Sequence, residues 1–201
     1  KRIALAAASD ASVLLTGDEA PQYRDAIAFQ MRLGDTVANA LGYQGEHFRL
    51  VDAPDVAAAE AALWSAAPAL GVRAPATFAP TPEKRTTLAL ALDHLAQNAP
   101  VPRKVIPLYA GSPWGRVDVD GDACTLCLAC VGACPEGALI DHPETLRLRF
   151  IESKCVQCGI CAATCPEHAI ALVPQLDLTP EARAPRVLIE AEVVGCIACG
   201  K

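Results

Sequence analysis

Cys124-Thr-Leu-Cys127-Leu-Ala-Cys130-Val-Gly-Ala-Cys134-Pro135 and Cys155-Val-Gln-Cys158-Gly-Ile-Cys161-Ala-Ala-Thr-Cys165-Pro166 are two copies of one run, C-x2-C-x2-C-x3-C-P. Together they hold eight of the ten cysteines, and no cysteine precedes Cys124. An even triplet plus one is not the paired C-x2-C spacing of zinc knuckles. Ten cysteines in a secreted chain would suggest a disulfide framework, but this regular spacing argues for reduced thiolates and hence a reducing, cytoplasmic setting. Proline after the last cysteine of each run fixes the exit of the chain and removes an amide that would otherwise need a partner.

A C-x2-C-x2-C loop lets three sulfurs grip three irons of one cubic [4Fe-4S] cluster, and the fourth iron takes a ligand from elsewhere. One spacing used twice predicts two clusters. Val117 to Asp120, alternating apolar and acidic, reads as a strand paired with Ala169 to Val173. Ala138–Ile140 and Leu146–Ile151 read as a hairpin turning at Asp141-His142-Pro143-Glu144. Gly132, Gly137 and Gly159 allow the backbone to approach the clusters. Lys154 beside Cys155 favours the more negative, reduced state there, whereas Asp118, Asp120 and Asp122 oppose it near Cys124. The second cluster is therefore expected to have the higher potential. His168 reads as an exposed turn residue. No Ser-His-Asp or Cys-His arrangement stands outside the ligand runs, so no catalytic site is visible and one-electron transfer is the chemistry supplied.

On those eight cysteines, Val117 to Val173 resembles the bacterial two-cluster ferredoxins. The resemblance implies that the last cysteine of each run crosses to the other cluster. Cluster one then takes Cys124, Cys127, Cys130 and Cys165, and cluster two takes Cys155, Cys158, Cys161 and Cys134. In outline the chain also resembles the iron-sulfur proteins that accompany molybdenum-dependent formate dehydrogenases. Ala11 to Glu19 and the helix after it resemble the α/β delta subunit found with hydrogenases and heterodisulfide reductases, whose cysteines hold a cluster that this segment has no residues to bind.

Within 201 residues the hydrophobic fraction is 52%, much of it alanine, and no apolar run is long enough for a membrane span. The formal charge is −6. Two oxidised clusters with their thiolates, each about −2, take it to roughly −10. Such a charge disfavours nucleic acid and anionic membranes and favours basic surfaces on redox partners, a dehydrogenase among them.

Upstream, Lys1–Ala8 reads as the end of a helix already under way, and hence as a sign of a longer chain. Ser12–Thr16 and Phe48–Val51 read as strands of a parallel pair. Helices are expected from Pro21 to Leu41, with Tyr23, Ile27, Met31, Val37 and Leu41 on one face, and from Asp55 to Ala67, stopped by Pro68. A third opens at Thr81 with Pro82 in its first turn. His47 and His94 read as solvated. Two strands make only a partial sheet, the remainder coming from residues before Lys1 or from a partner. No nucleotide-binding glycine motif occurs.

The expected organisation is an α/β segment over 1–99, a linker over 100–115, an α+β ferredoxin-like dicluster domain over 116–176 and a tail over 177–201. In that tail a strand leads into Cys196-Ile-Ala-Cys199-Gly. The pair reads as half of a zinc knuckle, with a redox dithiol, a third shared cluster or an inert pair as the alternatives. The functional expectation is an electron-carrying module of a larger redox protein. The competing readings are the relay part of a flavin- or molybdenum-dependent oxidoreductase with its catalytic site elsewhere, and an oxygen-sensing or assembly protein.

Overall fold

The computed structural model describes residues 4–7, 10–15, 21–65, 72–191 and 198. The chain divides into two compact units, Lys1–Arg103 and Lys104–Lys201. Mixed helices and small sheets make up both. Among the described residues no helix is long and apolar enough to cross a membrane.

In the first unit, strands β1 (Ala4–Ala7), β2 (Asp10–Leu15) and β3 (Phe48–Asp52) form one sheet in that order. β2 and β3 are parallel, as expected, with Val13 opposite Leu50. β1 corrects the reading of Lys1–Ala8 as a helix end: it pairs antiparallel with β2, Ala4 opposite Val13. Alanine's helix preference is a fraction of a kcal/mol per residue, and a ladder formed with a neighbouring strand outweighs it.

Helix α1 (Pro21–Ala40) makes the crossover between the parallel strands. Its buried face is set by Leu33 and Val37, with Leu41 just beyond its end, while Tyr23 is exposed and Met31 half-buried. The expected stripe is thus correct toward the C-terminus and rotated by part of a turn at the other end. Helix α2 (Val56–Trp64) is capped by Asp55, whose carboxylate accepts from the Ala58 amide at 2.8 Å, and is closed by Ser65, earlier than the expected stop at Pro68.

Helix α3 spans Lys84–Gln97, beginning later than Thr81 and Pro82 suggest. The Thr81 hydroxyl donates instead to the Glu83 carbonyl, at 2.9 Å, and fastens the approach to the helix. Tyr43 donates from its hydroxyl to the Leu95 carbonyl at 2.8 Å, tying α3 to the turn after α1. His47 is buried rather than solvated and meets the Tyr43 ring edge-on. His94 is half-buried and donates from Nε2 to the Ala74 carbonyl.

The second unit contains β4 (Val105–Pro107), β5 (Gly115–Val119), α4 (Ala129–Ala133), β6 (Leu139–Ile140), β7 (Arg147–Phe150), α5 (Ile160–Thr164), β8 (Ile170–Asp177) and β9 (Arg186–Glu190). All its strand pairs are antiparallel, in the orders β4-β8-β5 and β6-β7-β9. The expected pairing of the segments flanking the cysteine runs holds, with Val117 opposite Leu172, and so does the hairpin, with Leu139 opposite Phe150.

Two stretches differ from expectation. Val105–Pro107 lies within the expected linker yet forms a strand with β8. β8 itself runs on through Pro174 to Asp177, past the expected end of the strand at Val173. Pro174 sits where β8 changes partner, from β5 over residues 170–174 to β4 over residues 175–177, and its carbonyl still accepts from Leu108. A missing amide is tolerated at such a change of partner because no single ladder runs through it.

The cysteine repeat extends to the fold. The offset that carries Cys124 onto Cys155 also carries β5 onto β7 and β6 onto the start of β8. Val119 pairs with Ile170, and their equivalents Phe150 and Leu139 pair in turn. Val117 and Leu148, equivalent positions, are both buried in the core between the two halves, with Ala138, Leu139, Phe150 and Ile170.

Candidate iron-sulfur site

Each cysteine run folds as a loop followed by one short helix. Cys124 and Cys127 lie in the first loop, Cys130 within α4 and Cys134 at its end; Cys155 and Cys158, Cys161 and Cys165 repeat this around α5. Cys130, Cys155 and Cys161 are buried, Cys124, Cys134 and Cys165 half-buried, and Cys127 and Cys158 exposed; none of the eight is in a disulfide. The backbone prepares the first loop: the Asp120 carboxylate accepts from the Asp122 amide at 3.0 Å, and the Asp120 carbonyl accepts from the Cys124 amide at 2.9 Å.

The loops are held in an uncommon conformation at matching positions. Leu126 and Gln157 both have φ 54°, Leu128 and Gly159 have 58° and 79°, and Gly137 and His168 have 58° and 51°. Left-handed backbone is costly for side-chain-bearing residues, about 1 kcal/mol or more each, and persists where the surroundings require it. Turns containing such residues gather successive amides into concave nests suited to anionic groups, iron-sulfur clusters included.

Two cavities result. One is lined by Cys134, Cys155, Cys158 and Cys161, the other by Cys124, Cys127, Cys130 and Cys165. Each therefore gathers three cysteines of one run and the last of the other. The electrostatics act both within each cavity and between the two. Burial raises the Cys155 and Cys161 thiols above their usual range, and the charges of Cys134 and Cys158 raise both further. Burial pushes the Cys130 thiol up to about 11, with Cys161, Cys124 and Cys127 adding to the effect. These thiols hold their protons at neutral pH when metal-free, so binding iron as thiolates must release protons.

Sulfurs on both sides receive amide hydrogens. Ala138 donates from its amide to Cys134 Sγ at 3.3 Å, and Ala169 to Cys165 Sγ at 3.4 Å. Gln157 donates to Cys155 Sγ from its backbone amide and again from its side chain, both at 3.4 Å. Four soft cysteine sulfurs, amides that donate to them and left-handed turns suit a [4Fe-4S] cluster in each cavity. Among the described residues no group of three His, Cys, Asp or Glu side chains is placed to hold a single metal ion.

The remaining residues singled out in the sequence fall as follows. Asp118 is paired with Arg116 at 3.0 Å, Lys154 is exposed, and His168 is exposed at the turn. His142 accepts at Nδ1 from the Glu144 amide within the hairpin turn. Cys196 and Cys199 lie outside the described residues. The side chain of Gln157 is the site residue that pattern reading missed. Its signal is the mismatch exposed when the two runs are superposed, where Leu126 faces Gln157.

Residues 116–166 match the family model described as a 4Fe-4S dicluster domain. No curated protein matches the chain. The chain thus carries an iron-sulfur domain of ferredoxin type, which supports electron transfer through 4Fe-4S chemistry and implies redox partners.

Proposed function

We propose that this chain is an electron-carrying module with two [4Fe-4S] clusters, working within a larger redox protein or complex whose catalytic site lies outside it. Cluster one is held by Cys124, Cys127, Cys130 and Cys165, and cluster two by Cys155, Cys158, Cys161 and Cys134. The observation that supports this most directly is the division of the eight cysteines into two cavities of four.

Each cluster, when bound, supplies a one-electron oxidation and reduction. The chain's own part is to hold the thiolates, direct amides at sulfur and keep most of each site away from water. Cys127 and Cys158 are the exposed ligands, so they mark the faces by which an electron enters and leaves.

Anaerobic reconstitution tests the reading. About eight irons and eight sulfides per chain are expected, four for each cluster, with two one-electron reductions followed by EPR. Preferential uptake of zinc, or about four irons with all eight cysteines intact, would count against it.

A further inference from the structure

The two halves of the dicluster domain are alike in register, ligands and left-handed turns, and they differ sharply at one place. In the second half the Gln157 carboxamide lies against strand β5, where Nε2 donates to the Arg116 carbonyl at 3.0 Å and to Cys155 Sγ at 3.4 Å. The assignment of Nε2 is chemically forced, since both neighbours accept and an amide turned end for end would set oxygen against carbonyl and sulfur.

Space for this amide comes from Gly115. A Cβ there would lie 2.6 Å from Gln157 Cδ and 2.8 Å from Nε2. By the repeat, the equivalents of Gln157 and Gly115 are Leu126 and Leu146. Leu126 packs on the apolar core and has no hydrogen to give. The polar residue and the gap that admits it therefore occur together, on one side only.

We propose that Gln157 sets the potential of the second cluster above that of the first, so that an electron reaching the domain rests preferentially on the cluster bound by Cys155. This rests on the two-cluster reading above. Reduction adds one negative charge to the cluster while no bond forms or breaks and both Nε2 protons stay on nitrogen. A donor aimed at a ligand sulfur gains strength as that sulfur becomes more negative, so it stabilises the reduced state more than the oxidised one. The Arg116 carbonyl fixes the amide, which makes the contact a permanent part of the site.

The test uses the whole reconstituted chain and its Gln157→Leu variant, titrated anaerobically with dithionite and followed by EPR. In the unaltered chain the first electron is expected in the Cys155 half. The variant should be about tenfold less reduced in that half at a fixed solution potential, equivalent to 59 mV for a one-electron couple, with the first half unmoved. A second measurement needs no variant: with side-chain amides labelled by 15N, the cluster reduced first should show coupling to one such nitrogen. Full iron content with an unmoved potential, or a reduced cluster lacking that coupling, would overturn the role of Gln157 alone. A chain that takes up no pair of clusters would overturn the two-cluster reading as well, and the iron count tells these outcomes apart.

Discussion

Gln175 Nε2 donates to Glu152 Oε1 at 2.7 Å, and Arg186 Nη2 lies 3.3 Å from the other oxygen of the same carboxylate. Glu152 is buried, in the 3-10 turn Glu152–Lys154 that delivers the chain to Cys155. Gln175 belongs to β8 and Arg186 to β9, so one carboxylate joins these two strands to the entrance of the second cysteine run. Arg186 also stacks on Phe150, 5.3 Å from the ring centroid, in the core between the halves.

Burial raises the Glu152 pKa above 4.5, while Gln175 and then Arg186 act to lower it. A raised folded-state value means that this group favours folding most when protonated, below about pH 4.5, and that the contribution is lost as pH rises through the folded value. Glu152→Gln, which can still accept from Gln175, should therefore be close to neutral or slightly stabilising at pH 7. Its advantage over the unaltered chain should shrink on acidification through the raised pKa. Glu152→Ala leaves Gln175 without its acceptor and should cost about 1–3 kcal/mol at pH 7. Anaerobic urea unfolding at several pH values, with cluster absorbance and circular dichroism followed together, measures all three chains.

Exchange of the fourth ligand makes a prediction that an uncrossed arrangement does not share. Cys134 lies in the first run, yet it lines the cavity of Cys155, Cys158 and Cys161. Cys134→Ser should damage the second cluster and spare the first, while Cys165→Ser does the reverse. EPR of the reduced variants, read beside iron content, should show one surviving [4Fe-4S] signal in each case, and not the same one. Damage confined to the run that carries the substitution would contradict the shared ligand sets.

In the first unit, α1 approaches β3 closely because Gly34 faces the ring of Phe48. A Cβ at Gly34 would stand 2.5 Å from that ring. Gly34→Ala forces the ring or the helix to move, a case of overpacking that costs typically about 1–3 kcal/mol. Thermal unfolding should show the loss, while the EPR spectra of the clusters stay unchanged.

The legible parts of this chain were those with a local cause. Cysteine spacing announced the iron-sulfur chemistry, alternation announced β5, and Asp55 announced the start of α2. What was missed depended on partners distant in sequence. The alanine-rich stretch Ala4–Ala7 has no strand signature of its own and becomes a strand by pairing with β2. Pro174 suggests a loop until its strand is seen to change neighbours there. Gln157 stands between two ligands as an unremarkable loop residue, and its meaning comes from Gly115, which only the fold brings near it.

Gly159 and Gly115 should respond very differently to the same substitution. Gly159, the left-handed equivalent of Leu128, has φ 79°, and a Cβ there would meet only Leu172 Cδ1 at an ordinary 3.6 Å. Gly159→Ala therefore adds left-handed strain of about 1–2 kcal/mol and little else, and the first half shows that the turn accepts a side chain, since Leu128 occupies it. At Gly115 φ is not the obstacle: a Cβ would stand 2.4 Å from the Val173 carbonyl oxygen, a backbone atom of the paired strand, as well as against Gln157. Relief requires β5 and β8 to part or the carboxamide to leave its place, so Gly115→Ala should cost several times as much as Gly159→Ala, on the scale of about 3 kcal/mol or more for broken packing and pairing. The urea midpoint for loss of cluster absorbance ranks the two variants. Equal midpoints would mean that the Gly115 contact relaxes freely, and the close seat of Gln157 would lose its physical basis.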